Sequence, residues 1–242
     1  MKIEEERCDL KGFSPAWVRH QHIERYRWAS RYVAGLRVVD AACGTGYGSA
    51  MLVRAGAGRI DGFDISAEAV AQASRVCKSP SARFAVASAL QLPAADATYD
   101  VYISFETIEH VDDDEGFLAE AVRVLRPGGL LLLSTPNRQV LDPGTSIHDR
   151  PFNRYHVREY IREELEAKLR SRFASVEWYG QRSFADGYVQ WLNHMGRRWP
   201  SLAVKVHQAR KCAGLLWESP DRHVPTPGPR GAAEILIAAC RT

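Results

Sequence analysis

Gly44, Gly46 and Gly48 follow the apolar pair Val38 and Val39 and the acid Asp40, and Asp64 stands 20 residues beyond Gly44 at the end of a second apolar run, Ile60 to Asp64. Glycines let a ligand approach the backbone closely. An acid about 20 residues later, at the tip of the next strand, is placed to accept hydrogen bonds from ribose hydroxyls. These residues predict a site for an adenosine-containing ligand. The structure they require is a buried strand, a glycine turn, a helix and a second parallel strand.

The spacing narrows the ligand. A dinucleotide site uses G-x-G-x-x-G and a phosphate loop uses G-x-x-x-x-G-K-[ST]; here the pattern is Gly44-x-Gly46-x-Gly48. No Lys or Arg lies between Val38 and Val53 to meet a phosphate. An adenosyl cofactor without phosphate fits, S-adenosyl-L-methionine above all, and Asp40 suits its ammonium or sulfonium charge.

A second group of reactive side chains follows the apolar run 99–104: Glu106, Glu109 and His110 within five residues, then the acidic run Asp112 to Glu115. An imidazole there titrates near working pH and stands where open α/β sheets bind ligands, so His110 is the candidate general base, with a loop-tying role as the alternative. Two carboxylates and an imidazole could also hold a hard divalent ion such as Mg²⁺. The acidic run is expected to cap the next helix. A third group, Ile147 to His156, contains His148, Arg154, Tyr155 and His156. His148 and Tyr155 are candidates for contact with polar substrate groups, whereas Asn153 and His156 are expected to cap a helix beginning near Val157.

The segments Val38 to Gly48, Phe63 to Ser66, Leu92-Pro93 with Thr98 to Val101, Phe105 to Val111, and Leu125 to Gly129 running on to Asn137 occur in one order. Together they resemble the motifs of class I S-adenosylmethionine-dependent methyltransferases, in the small-molecule branch that includes sugar, natural-product and ubiquinone-type enzymes. Ala42 stands where many members have their first glycine. The resemblance implies that the backbone of Ala42, Gly44 and Gly46 holds the methionine portion and that Asp40 accepts from its ammonium. It implies that Asp64 takes the ribose hydroxyls, with Ile65 against the adenine and Phe105 beside the methionine portion. Ser88, Ala89 and Leu90 occupy the place where the family often has an acid for the adenine amino group. Arg25 meets the cofactor carboxylate or is a solvated helix charge. Glu106 is placed near the acceptor, and Glu106, Glu109 and His110 match the metal-binding form of the ubiquinone-type motif.

Alternation of apolar runs with helical patterns predicts an α/β fold, a parallel sheet with helices on both faces; the resemblance implies a Rossmann-like seven-stranded sheet with the last strand antiparallel, and here a helical insertion precedes that strand. Expected strands cover 37–41, 59–64, 83–86, 99–104, 130–135, 173–181 and 234–240, with Pro127 to Gly129 as a turn. The expected parts are an N-terminal helical segment 1–34 with a mobile start, a cofactor domain 35–181 plus 234–242, and a lid or substrate-specificity insertion 182–233. Within the insertion Tyr188, Trp191, Leu192, Met195 and Trp199 recur at helical spacing, which reads as core packing. The insertion has eight Lys or Arg against three Asp or Glu, a net of +5, while the whole chain is only +3. That concentration suits an anionic acceptor, or is simply solvated.

Five scattered cysteines without a C-x-x-C pair argue for reduced thiols in the cytoplasm and against structural zinc. No apolar run approaches the roughly 18 residues of a membrane span, and no signal-peptide pattern opens the sequence. The acceptor is therefore expected to be a polar small molecule, with no membrane or nucleic-acid partner and a homodimer as an option. Two other readings stay open: a Mg-dependent quinone or phenol O-methyltransferase, and a non-catalytic protein that binds the same cofactor.

Overall fold

The computed structural model describes residues 16–184, 186–214, 226–227 and 233–242. The strands are β1 (Arg37–Ala41), β2 (Arg59–Asp64), β3 (Ala82–Val86), β4 (Tyr99–Phe105), β5 (Leu125–Pro136), β6 (Ser175–Ser183), β7 (Thr226–Pro227) and β8 (Ala233–Arg241). They form one sheet in the order β3-β2-β1-β4-β5-β8-β6-β7. β1 to β5 pair in parallel, and β8 runs antiparallel between β5 and β6. The expected seven strands are present, and the two-residue β7 adds an eighth along the outer edge of β6.

The helices are α1 (Ala16–Ala29), α2 (Tyr47–Arg54), α3 (Ala67–Val76), α4 (Asp114–Val124), α5 (Arg138–Leu141), α6 (Arg162–Arg170), α7 (Asp186–Arg198) and α8 (Pro200–Gly214). Successive strand residues point to opposite faces, so the sheet carries two cores. Val38, Ile60, Val101, Ile103, Leu132 and Ile237 pack under α1 and α2 with Tyr26, Trp28 and Leu52. Val39, Phe63, Tyr102, Leu131, Leu133 and Leu236 pack on the other face with Phe117 and Leu118 of α4 and Leu165 and Leu169 of α6. Near-continuous apolar runs in β1, β4 and β5 follow from burial on both faces.

Four expectations need correction. Pro127 to Gly129 does not separate two elements: extended structure runs from Leu125 through Pro136, with a register shift against β4 between Tyr99 and Val101 and Gly128 at φ +76°. The helix expected from Val157 starts only at Arg162, because the amides of Val157 and Arg158 are bound to the carbonyl of Glu109 rather than to a helical turn. Asn153 and His156 therefore cap no helix. Of the stripe expected to pack, Leu192 is buried in α7, as is Val189, and Tyr188 packs against the Val189 cluster, whereas Trp191, and Trp199 just beyond the helix, are half exposed, so its two tryptophans are not core. By contrast, Asp113 caps α4 as expected, its Oδ1 accepting from Gly116 N at 2.8 Å. The start of the N-terminal segment, residues 1–15, and the proline-rich part of the insertion lie mostly outside the described residues.

The insertion is anchored at the carboxyl end of the sheet. Phe184 and Val189 pack with Val140 of α5. Asn193 donates to the carbonyl of Gln139 at 2.7 Å and accepts from Gly144 N at 3.0 Å.

Candidate active site

The carboxyl ends of β1, β2 and β4 meet on one rim, and each strand turns there by a device legible in its backbone. After β1, Ala42 takes φ +64°, Gly44 φ +53° and Gly46 φ +76°. An L side chain at positive φ is strained by roughly 1–2 kcal/mol, which accounts for glycine at two of the three positions and puts a local strain at Ala42. A Cβ on Gly44 would meet nothing within 4 Å, whereas one on Gly46 would stand 2.6 Å from Ala73 Cα. Gly44 thus leaves an open cradle and Gly46 lets α2 and α3 close on each other. A Cβ on Gly48 would strike the Tyr26 ring; that glycine is a seat for α1.

Asp64 ties the rim together. Its Oδ2 accepts from Gly44 N and its Oδ1 from Ser66 N, both at 2.9 Å. Beyond it Ile65 is 56% exposed and Leu90 is 38% exposed, two uncovered apolar side chains flanking the rim. Ser88, expected in the place of an adenine-binding acid, accepts from Leu90 N at 3.1 Å and so shapes its own turn; Ala89 is partly buried against the core.

Asp40 is fully buried. Its Oδ1 accepts from Tyr26 Oη at 2.9 Å and its Oδ2 from Ser49 Oγ at 2.5 Å. Burial pushes its carboxyl up to about 6, against the lowering effect of those two donors and helped by the nearby charge of Asp64. Tyr26 also sets its ring edge-on to Phe105, centroids 5.1 Å apart. Nothing in the sequence pattern signals the contact of Tyr26 with Asp40. Arg25 is 1% exposed and is no solvated charge: its Nη1 donates to Gln181 Oε1 at 2.8 Å and lies 3.8 Å from Glu106 Oε1.

After β4 the backbone turns through Glu106 at φ +53°. Its amide bonds Ser134, and its Oε1 accepts from Ser134 Oγ at 2.6 Å. A short 3₁₀ turn, Ile108–His110, then carries Glu109 inward and His110 outward. Glu109 is fully buried, accepts from Thr135 Oγ1 at 2.9 Å, and leaves Oε1 with no hydrogen-bond partner among the described residues. Burial first, and then the charge of Glu106, raise its carboxyl well above the usual range. His110 is one-third exposed, with Nδ1 3.1 Å from the carbonyl of Tyr155 and Nε2 4.0 Å from Glu109 Oε1. His156 packs edge-on against it at 4.9 Å. The Glu106–Glu109–His110 grouping is not assembled: Glu106 turns to Ser134 and Arg25, and His156 completes a trio with Glu109 and His110. Tyr155 lies under the guanidinium of Arg154, and His148 is exposed on a separate turn.

The residues fit an adenosyl sulfonium. The cradle at Gly44, a carboxylate at the second strand tip, and uncovered apolar walls at Ile65 and Leu90 form its outline, with no cationic side chain in the glycine turn to call for phosphate. Residues 39–133 match the family model described as a methyltransferase domain. Over that stretch the chain is similar to S-adenosylmethionine-dependent methyltransferases. It is 38% identical over 161 residues to a probable S-adenosylmethionine-dependent methyltransferase of Mycolicibacterium smegmatis, covering 66% of this chain and 60% of that protein. It is 38% identical over 137 residues to a ubiquinone biosynthesis O-methyltransferase of Rhizobium rhizogenes, covering 53% of this chain and 55% of the relative. Among solved structures, a possible histamine N-methyltransferase from Thermotoga maritima shares the fold, with TM-score 0.60 and 17% identity over 93% of this chain and 92% of that one. The chain thus spans little more than half the length of these two relatives. No helix among the described residues is long and apolar enough to cross a membrane.

Proposed function

We propose that this protein moves a methyl group from S-adenosyl-L-methionine to an oxygen or nitrogen of a polar small molecule, by in-line displacement. The observation that carries this reading is the convergence of the Gly44 cradle, Asp64 and Phe105 with His110 on one rim of the sheet. The cofactor supplies an electrophilic methyl group with a neutral thioether as leaving group. Asp64 orients the ribose, Ile65 and Leu90 flank the purine, and Asp40 with Tyr26 faces the methionine ammonium. Fixing the acceptor in line supplies a large part of the rate, up to about 7–11 kcal/mol in ideal cases. His110 completes the chemistry. With Nδ1 donating to the carbonyl of Tyr155, its Nε2 is the basic nitrogen that takes the acceptor's proton. His148 and Tyr155 are proposed to contact the acceptor, and α7 with α8 to wall its site in a cytoplasmic enzyme.

A phenolic or quinol hydroxyl is the second reading, supported by the name of the Rhizobium relative. A sugar or aminosugar acceptor remains the first, because the cationic insertion suits a polar, anionic group. A screen of sugars, nucleotide-linked sugars and catechols, read by mass spectrometry for a gain of one CH₂, separates the two. His110→Ala should keep cofactor affinity and lose about 10²- to 10⁴-fold in turnover. Undiminished turnover in that variant refutes the assigned base, and absence of any calorimetric heat with S-adenosylmethionine or its demethylated product refutes the whole reading.

A further inference from the structure

The magnesium arrangement implied by the ubiquinone-type motif does not fit this chain, because the carboxylate of Glu106 is held by Ser134 Oγ at 2.6 Å and lies beside Arg25. What the fold assembles is different in kind. One ligand atom from each of Glu109, His110 and His156 lies within 4.8 Å of the others. We propose that Glu109, His110 and His156 form a site for a first-row divalent transition ion such as zinc, iron or cobalt, and not for magnesium.

The donor set decides the ion class. Magnesium prefers oxygen ligands in a near-ideal octahedron, whereas imidazole suits zinc, copper, iron and nickel, and two histidines with one carboxylate form a set that leaves coordination positions open. The buried Glu109 Oε1, without a hydrogen-bond partner among the described residues, is the atom such an ion would satisfy.

The outer atoms are already held. Glu109 Oε2 accepts from Thr135 Oγ1 at 2.9 Å, His110 Nδ1 lies 3.1 Å from the Tyr155 carbonyl, and His156 Nδ1 lies 2.6 Å from Glu159 Oε1. A ligating histidine almost always gives its other ring nitrogen to a carboxylate or carbonyl. Both histidines here show that pattern. Asn153 Nδ2 stands 2.9 Å from His156 Nε2, so an ion at that nitrogen replaces one hydrogen bond.

Metal–nitrogen bonds of about 2.0–2.1 Å put neighbouring ligand atoms roughly 3.3 Å apart at a tetrahedral angle. The 4.0 Å between His110 Nε2 and Glu109 Oε1 therefore has to close by under an ångström, which rotation of the one-third-exposed His110 ring supplies. That exposure also gives the ion an entry path and keeps one side of the site open. The same nitrogen cannot hold an ion and take a proton at once, so with the ion bound an open coordination position, and not His110, would lower the pKa of an acceptor hydroxyl.

The test is cobalt(II) binding to the full chain after dialysis against chelator, read by visible d–d absorption and calorimetry, which needs no methyl-transfer activity. Wild type should take up one ion per chain, and an equal concentration of Mg²⁺ should not displace it. His156→Ala and His110→Ala should each lose the band. Glu159→Gln should weaken binding about 10- to 100-fold, and Glu106→Gln should not weaken it. Circular dichroism checks folding for His156→Ala, and the exposed His110 supplies the second variant if that protein fails to fold. No cobalt band in wild type, a band that survives His110→Ala, or loss of binding on Glu106→Gln overturns the proposal.

Discussion

Asp40 should make this protein less stable as the pH rises, and Asp40→Asn should remove that dependence. The carboxyl is fully buried, and its pKa is raised from 3.8 to about 6 by desolvation that Tyr26 and Ser49 only partly offset. A folded-state value above the unfolded one means that the native state holds the proton longer. The favourable contribution is complete below pH ~4 and is lost as pH rises through about 6. A shift of roughly two units corresponds to about 3 kcal/mol at neutral pH, of which about 1.4 kcal/mol is lost between pH 5 and pH 7.5 by linkage. Asparagine keeps the shape without the charge, and the Tyr26 and Ser49 hydroxyls can rotate to serve its amide. Urea unfolding of both proteins at pH 5, 6 and 7.5, without cofactor, gives the comparison. The stability of Asp40→Asn relative to wild type should climb by about that 1.4 kcal/mol across the range. Parallel curves would refute the argument that burial controls this carboxyl. Saturating S-adenosylmethionine should narrow the gap at pH 7.5, because a cation beside Asp40 favours its ionised form.

Ala42→Gly should raise stability by up to about 1 kcal/mol by relieving the left-handed backbone at φ +64°, measured by thermal unfolding. Gly48→Ala should cost about 1–3 kcal/mol by driving the Tyr26 ring out of its seat; in a Tyr26→Ala background the same change should cost far less, and additive costs would show that the ring is not the obstacle. Arg25→Met removes the donor to Gln181 and the charge beside Glu106. It should cost about 2 kcal/mol and open α1 to limited proteolysis, and unchanged cleavage would rule out Arg25 as the latch.

Sequence patterning carried the sheet because its signals are local. Alternating apolar runs name β1, β2, β4 and β5, and the single apolar run 234–240 names a strand whose antiparallel direction came from the family resemblance. Asp64 was legible for the same reason, standing 20 residues beyond Gly44 and reaching its amide. Contacts that cross the chain were not. Arg25 meets Gln181 across 156 positions, and a pattern that sees only one helix face could not separate a buried latch from a solvated charge. Glu106 looked like one of three clustered ligands, but its left-handed backbone turns it toward Ser134, and no residue type forecasts φ +53° at a glutamate. His156 was read with Asn153 as an anchor for the helix expected from Val157, because Asn is a frequent N-cap. The one available hint was Glu159 three residues later, a spacing that suits a histidine–carboxylate pair.

The central place of β8 bears on how the chain must be assembled in time. Among the described residues β6 has no sheet neighbour except β8 and the two-residue β7, so nothing can recruit it until residues 233–241 have left the ribosome. The roughly 50 intervening residues add little to that delay, because loop-closure entropy grows only logarithmically with length. A nascent chain halted before residue 233 would present β5 with a bare edge, an invitation to pair with another molecule. Premature stop codons in this gene should therefore yield inclusion bodies rather than a shortened folded protein.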